Sequence, residues 1–120
     1  MKIRLLLSAI ALCFSFTAKS QSPALVGYFH NWQDAQAPYV QLDQVDSRYN
    51  IIDVAFALPA NGTDYQMTFT PTMVSSATFI NQIQTLHNQG RKVLISAGGA
   101  TAPIALSNTM ERDSFISTMN

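Results

Sequence analysis

The sequence predicts an α/β fold built on a parallel sheet. Three observations carry this. Val93, Leu94 and Ile95 form a continuous apolar run, the pattern of a strand covered on both faces. Ile51 to Leu58 is a second such run, interrupted only by Asp53. Between them, residues 76–89 carry apolar side chains at helical spacing. Strands that alternate with helices imply parallel pairing, because each crossover helix returns the chain to the same end of the sheet.

In order, Ala24 to Phe29 is the first strand, short and aromatic, with Pro23 before it. His30 to Val40 reads as a polar and aromatic loop. Leu42 to Tyr49 reads as a short helix with Leu42, Val45 and Tyr49 inward. The second strand covers Ile51 to Leu58. A loop from Pro59 to Thr72 contains an Asn61-Gly62 turn signal. The helix from Ser76 to Gln89 places Ala77, Ile80, Ile83 and Leu86 on one stripe, with Phe79 beside it. Ser75 or Ser76 caps its start, and Gly90 closes its end. The third strand starts at Lys92 and runs into Gly98-Gly99, where the backbone can turn sharply. A further helix covers Glu111 to Asn120, with Glu111 and Asp113 at its positive end.

The 120 residues carry seven basic and seven acidic side chains. Met1 to Arg4 is a basic start, Leu5 to Phe16 an apolar run, and Ala18-Lys19-Ser20 a cleavage pattern. Residues 1–20 therefore read as a secretory signal peptide and residues 21–120 as the mature domain, secreted or periplasmic. The apolar run is shorter than the roughly 20 residues a spanning helix needs, and a retained anchor is the alternative reading. Without Lys2, Arg4 and Lys19, four basic residues (Arg48, Arg91, Lys92, Arg112) face seven acidic ones. No basic patch remains, which argues against nucleic acid, and no membrane association is expected after cleavage. Cys13, the only cysteine, lies in the signal, so no disulfide or cysteine metal site is expected. His30 and His87 are far apart, and no metal site is expected.

Three passages resemble the start of a glycoside hydrolase family 18 domain, the chitinase family. Val26-Gly27-Tyr28-Phe29 followed by Trp32 looks like its first strand and loop. Tyr49-Asn50-Ile51-Ile52-Asp53-Val54-Ala55-Phe56-Ala57 looks like its second strand. Gly90 to Gly99 looks like its third, ending in Ser-x-Gly-Gly. Arg112 to Ile116 also looks like the helix leading to the family's fourth strand. The resemblance implies a (β/α)8 TIM barrel, usually about 250 residues, of which this chain supplies strands one to three. It implies hydrolysis of β-1,4-linked N-acetylglucosamine polymers, in which the substrate's own acetamide attacks the anomeric carbon, with no cofactor. The partner is chitin or its oligosaccharides. A non-catalytic carbohydrate-binding barrel is the alternative.

The family's catalytic signature, Asp-x-x-Asp-x-Asp-x-Glu, does not occur in the sequence, so no catalytic residue is assigned. By resemblance, Tyr28 and Ser96 point into the barrel and support the acids of that signature. The other reading is core packing, as an aromatic and as a small residue in a crowded layer. Trp32 and Tyr39, in the loop after strand one, are candidate sugar platforms, or they pack the loop. Phe56, Gly98 and Gly99 complete the candidate substrate-binding set. At Ala55-Phe56 the family often has a cis peptide, although a trans core phenylalanine is the other reading. Asp53 reads as a structural partner in the barrel, and Asp43 and Asp46 as helix surface. A nucleotide-binding domain using Gly98-Gly99 fits poorly, because the pattern is not Gly-x-Gly-x-x-Gly.

Overall fold

A computed structural model describes residues 23–120. The signal-peptide expectation for residues 1–20 lies outside them. The elements are β1 (Val26–His30), β2 (Ile51–Pro59), β3 (Met67–Thr68), α1 (Ser76–Asn88), β4 (Lys92–Ala97) and α2 (Thr109–Met119). β2 is central. It pairs in parallel with β1 on one side and β4 on the other, in the register Tyr28–Asp53–Leu94 and Phe29–Val54–Ile95. The expected three parallel strands are present, and the sheet is open. It is a partial (β/α) barrel.

Strand alternation sorts the side chains between two faces. Phe29, Ile52 and Val54 point to the helical side and are buried with Leu42, Phe79 and Leu86, while Val93 and Ile95 pack against them. The opposite face is bare: Tyr28 is 70% exposed, and Val26 and Leu94 are each 51% exposed. In a closed barrel this face would be the interior, filled by layers of side chains from all the strands.

β3 was not foreseen. The expected turn is real, with Asn61 and Gly62 both at positive φ (56° and 67°). It folds the chain back so that Met67 and Thr68 pair antiparallel with Pro59 and Leu58. Two residues are too short a run for periodicity to signal.

α1 closes as expected. Ser75 accepts a hydrogen bond from the Thr78 amide, 3.1 Å. At the other end Gly90 adopts φ 75°, its N–H bonds His87 O (2.9 Å), and the Arg91 N–H bonds Leu86 O (3.0 Å). This is a Schellman closure. Its inward face differs from the expected stripe. Phe79, Gln82 and Leu86 are buried, whereas Ala77 is exposed and Ile80 is 54% exposed. Phe79 packs on Phe69 at 5.3 Å, and Gln82 Nε2 donates to Gln41 Oε1, so the larger ring and an amide held through its nitrogen take the core, with Gln82 Oε1 left unpartnered among the described residues. α2 begins two residues earlier than expected, capped by Asn108, which accepts from the Glu111 amide at 3.0 Å.

The helix expected at Leu42 to Tyr49 is absent. Only a single 3-10 turn forms, Leu42–Gln44. The expected inward residues do face inward: Leu42 is fully buried, and Val45 and Tyr49 pack on the core. The conformation differs, and Arg91 supplies the reason. Arg91 is 7% exposed, and its guanidinium donates to the carbonyls of Val45 (3.0 Å), Asp46 (3.0 Å) and Tyr49 (2.9 Å). Those carbonyls are thus satisfied from outside the segment, which holds it in a non-helical course. Asp46 tightens the turn by accepting from the Arg48 backbone and side chain at 2.9–3.0 Å. Those bonds hold its carboxyl down at about 2, below the usual range.

Close packing also fixes Gly27. A Cβ there would lie 2.7 Å from Tyr49 Cδ1. Gly27→Ala is expected to cost about 1–3 kcal/mol, as overpacking in a well-packed site does. A lowered urea midpoint of the full-length protein with an unchanged slope checks this, and an unchanged midpoint contradicts it.

Candidate functional site

The carboxyl ends of parallel strands carry sites because the loops that follow them converge there. On the bare face, β1 and β4 each bring a hydroxyl. Ser96 Oγ donates to Tyr28 OH at 3.2 Å across β2. Ser96 lies beside Ala55 in the register, and Tyr28 beside Asp53. The small Ala55 between the outer strands leaves room for the two hydroxyls to meet. The sequence-selected pair is thus brought together on the barrel-interior side. Of the seven acidic residues, Asp53 lies on this face, between Tyr28 and Leu94.

Above this pair sits an aromatic group. Trp32 stacks on Phe56 with centroids 6.0 Å apart and planes 26° off parallel. His30 meets the indole edge-on at 5.4 Å, and its Nδ1 lies 2.8 Å from the Trp32 carbonyl. Trp32 remains 41% exposed, so the group holds the indole while leaving surface free. The Ala55-Phe56 peptide is cis, as the resemblance implied, and the β2–β4 register shifts between Ala55 and Ala57.

Gly98 and Gly99 extend β4 into this corner. The Gly98 N–H bonds Ala57 O at 3.0 Å, and both glycines sit at positive φ (124° and 120°). A Cβ on Gly99 would lie 3.4 Å from Phe56 Cδ2. The phenylalanine ring would leave a side chain ordinary contact there, so it is the positive φ of both residues, a conformation side chains rarely adopt, that calls for glycine.

Tyr39 is not brought to this group. Its ring packs edge-on against Phe29 at 5.7 Å, and Phe29 points to the helical side of the sheet. Burial raises its hydroxyl pKa, and the nearby Asp43 carboxylate raises it further.

Asn31 is the residue that sequence reasoning missed. It is 5% exposed and ties the end of β1 to the segment before α1. Its Nδ2 donates to Thr70 O (2.8 Å), its Oδ1 accepts from the Thr72 N–H (3.2 Å), and its carbonyl accepts from Thr72 Oγ1. Its partners lie 39 and 41 positions away, so no local pattern marks it. Among the described residues, no three His, Cys, Asp or Glu side chains converge as a metal site would require.

An open parallel sheet, with hydroxyls and aromatics at the carboxyl ends of its strands, is the corner of a partial (β/α) barrel where sites are built. No family model matches the chain. Individual relatives do. It is 37% identical over 91 residues to chitinase Chi52 of Paenibacillus xylanexedens, covering 76% of this chain and 17% of that protein. It is 38% identical over 97 residues to chitinase D of Niallia circulans, covering 80% of this chain and 18% of that protein. Among solved structures it superposes on a family 18 chitinase from Chromobacterium violaceum with a TM-score of 0.71 at 34% identity. That match covers 79% of this chain and 25% of the other. The chain is a glycoside hydrolase family 18 chitinase-like segment, and it spans less than a fifth of the two curated relatives named.

Proposed function

We propose that the protein hydrolyses β-1,4-linked N-acetylglucosamine polymers by substrate-assisted catalysis with retention, and that this stretch supplies the first three strands of its barrel. The observation that carries the reading is the Ser96–Tyr28 hydroxyl pair on the face that becomes the barrel interior. Two adjacent hydroxyls can hold an ionised carboxylate and keep its pKa low. The resemblance puts such carboxylates on the strand that follows. There a glutamic acid would protonate the leaving oxygen, and a neighbouring aspartate would orient the substrate's acetamide for attack on the anomeric carbon. This arrangement is an exception to the two-carboxylate scheme of most glycosidases. Trp32 and Phe56 would offer apolar surface to sugar rings beside the reacting bond.

The test has two parts. The codons after Asn120 are expected to encode Asp-x-x-Asp-x-Asp-x-Glu, and the full-length protein to release reducing ends from chitin with retained anomeric configuration. A protein that lacks the terminal glutamate of that run and binds chitin without cleaving it would be a carbohydrate-binding barrel instead.

A further inference from the structure

We propose that Thr68 and Thr70 form a sugar-binding wall facing Trp32, and that Asn31 is the positioning residue that sets this wall. The proposal rests on the chitin-directed reading above. A cleft of about 270 Å3 lies between the carboxyl ends of β1 and β2 and the segment leading out of β3. Pockets for drug-sized ligands start at about 300 Å3, so this one suits a single sugar unit rather than an oligomer.

Its two sides differ in chemistry. One is apolar: the Trp32–Phe56 stack, with Leu58 beside it at 48% exposure. The other carries three threonines. Thr68, Thr70 and Thr72 alternate along the chain, and all three line the cleft. Thr72 Oγ1 is taken by the Asn31 carbonyl. Among the described residues, nothing hydrogen-bonds the Thr68 or Thr70 hydroxyl, and both residues are exposed. No charged side chain lines the cleft, so the ligand it fits is neutral. A pyranose has an apolar C–H face and a rim of hydroxyl and acetamide groups, and the two sides of the cleft match these.

Asn31 couples the sides. It precedes Trp32 in the chain, and its buried amide grips Thr70 O and the Thr72 N–H on the other side. Its own N–H bonds Ala55 O at 3.3 Å, which anchors it to β2 beside Phe56. The width of the cleft is therefore set by one side chain with every polar group engaged.

The experiment uses the full-length protein and N-acetylglucosamine oligomers of two to six units, with KM, kcat and direct binding measured for each. The double variant Thr68→Val, Thr70→Val keeps the β-branched shape and removes both hydroxyls. It is expected to raise KM about tenfold for the oligomers long enough to reach the cleft, with kcat within about twofold of wild type, the pattern of lost uniform binding. Asn31→Asp keeps the shape but sets a carboxylate oxygen against Thr70 O, and the same split is expected. A thermal midpoint that falls in Asn31→Asp while KM stays at the wild-type value overturns the positioning role. Wild-type KM at every length in the threonine variant overturns the wall. If the wild-type protein neither binds nor cleaves any oligomer, the chitin-directed reading falls and the wall falls with it.

Discussion

Arg91→Ala is expected to destabilise the full-length protein by about 3–5 kcal/mol, because it removes a buried charged donor that backbone carbonyls depend on. Arg91 is 7% exposed, and its guanidinium donates to three backbone carbonyls, those of Val45, Asp46 and Tyr49. Hydrogen bonds from a charged donor contribute about 1.5–3 kcal/mol each, and they are not additive here because one group makes all three. Truncation also removes the side-chain donor of three carbonyls, of which Asp46 O keeps the Tyr49 N–H at 3.1 Å, in a segment with only one 3-10 turn of its own. Arg91→Lys should recover little. A lysine offers a single point charge, whereas the three carbonyls are spaced for a planar fork. Urea unfolding of the three proteins checks this. An alanine variant within 1 kcal/mol of wild type, by roughly the scatter of ordinary surface substitutions, would contradict the role.

The second large effect is on turnover. Ser96→Ala in the complete protein is expected to lower kcat about tenfold, equivalent to about 1.4 kcal/mol of transition-state stabilisation, while the unfolding midpoint moves little. The reason is position. Ser96 Oγ and Tyr28 OH are hydrogen-bonded to each other on the bare face, and Tyr28 is 70% exposed, so neither hydroxyl serves the core beneath. Tyr28→Phe should show a similar loss, and the double variant should lose less than the two singles combined, because the hydroxyls act as a pair. A pH profile separates this from a packing role. Removing donors from a carboxylate raises its pKa, so the acidic limb of the kcat profile should move to higher pH. Unchanged turnover in Ser96→Ala would end the assignment.

The parts of the fold legible in sequence were those that local chemistry dictates. The strand Val93–Leu94–Ile95, the Ser75 cap, the Gly90 closure and the Asn61-Gly62 turn all follow from neighbouring residues and are present, but the expected cover on both faces is not, since Leu94 is half-exposed on the bare face of the sheet. What escaped depends on distant partners. Residues 42–49 have helical spacing of apolar groups, yet a guanidinium more than 40 positions away takes their carbonyls. α1 turns a face toward the core that hydropathy alone misjudges, because Gln82 finds Gln41. At the site, Tyr28, Ser96, Trp32, Phe56, Gly98 and Gly99 could be chosen from strand ends and resemblance, and the structure gathers them at one corner. Tyr39 shares the loop with Trp32, but its ring settles on Phe29 because the loop doubles back toward the core. Asn31 carries no local signal, since an asparagine after a strand is ordinary until its two loop partners are known.

The pairing order of the sheet bears on how the chain assembles as it is made. Among the described residues β1 pairs with β2, and β2 is completed by β4, so each parallel contact described joins a strand to the next parallel strand to emerge. Segments synthesised in that order can dock without waiting for a distant end, and contacts close in sequence form fastest. Arg91 immediately precedes β4, and its side chain fastens the stretch between β1 and β2. Docking of β4 therefore also fastens the connection between β1 and β2.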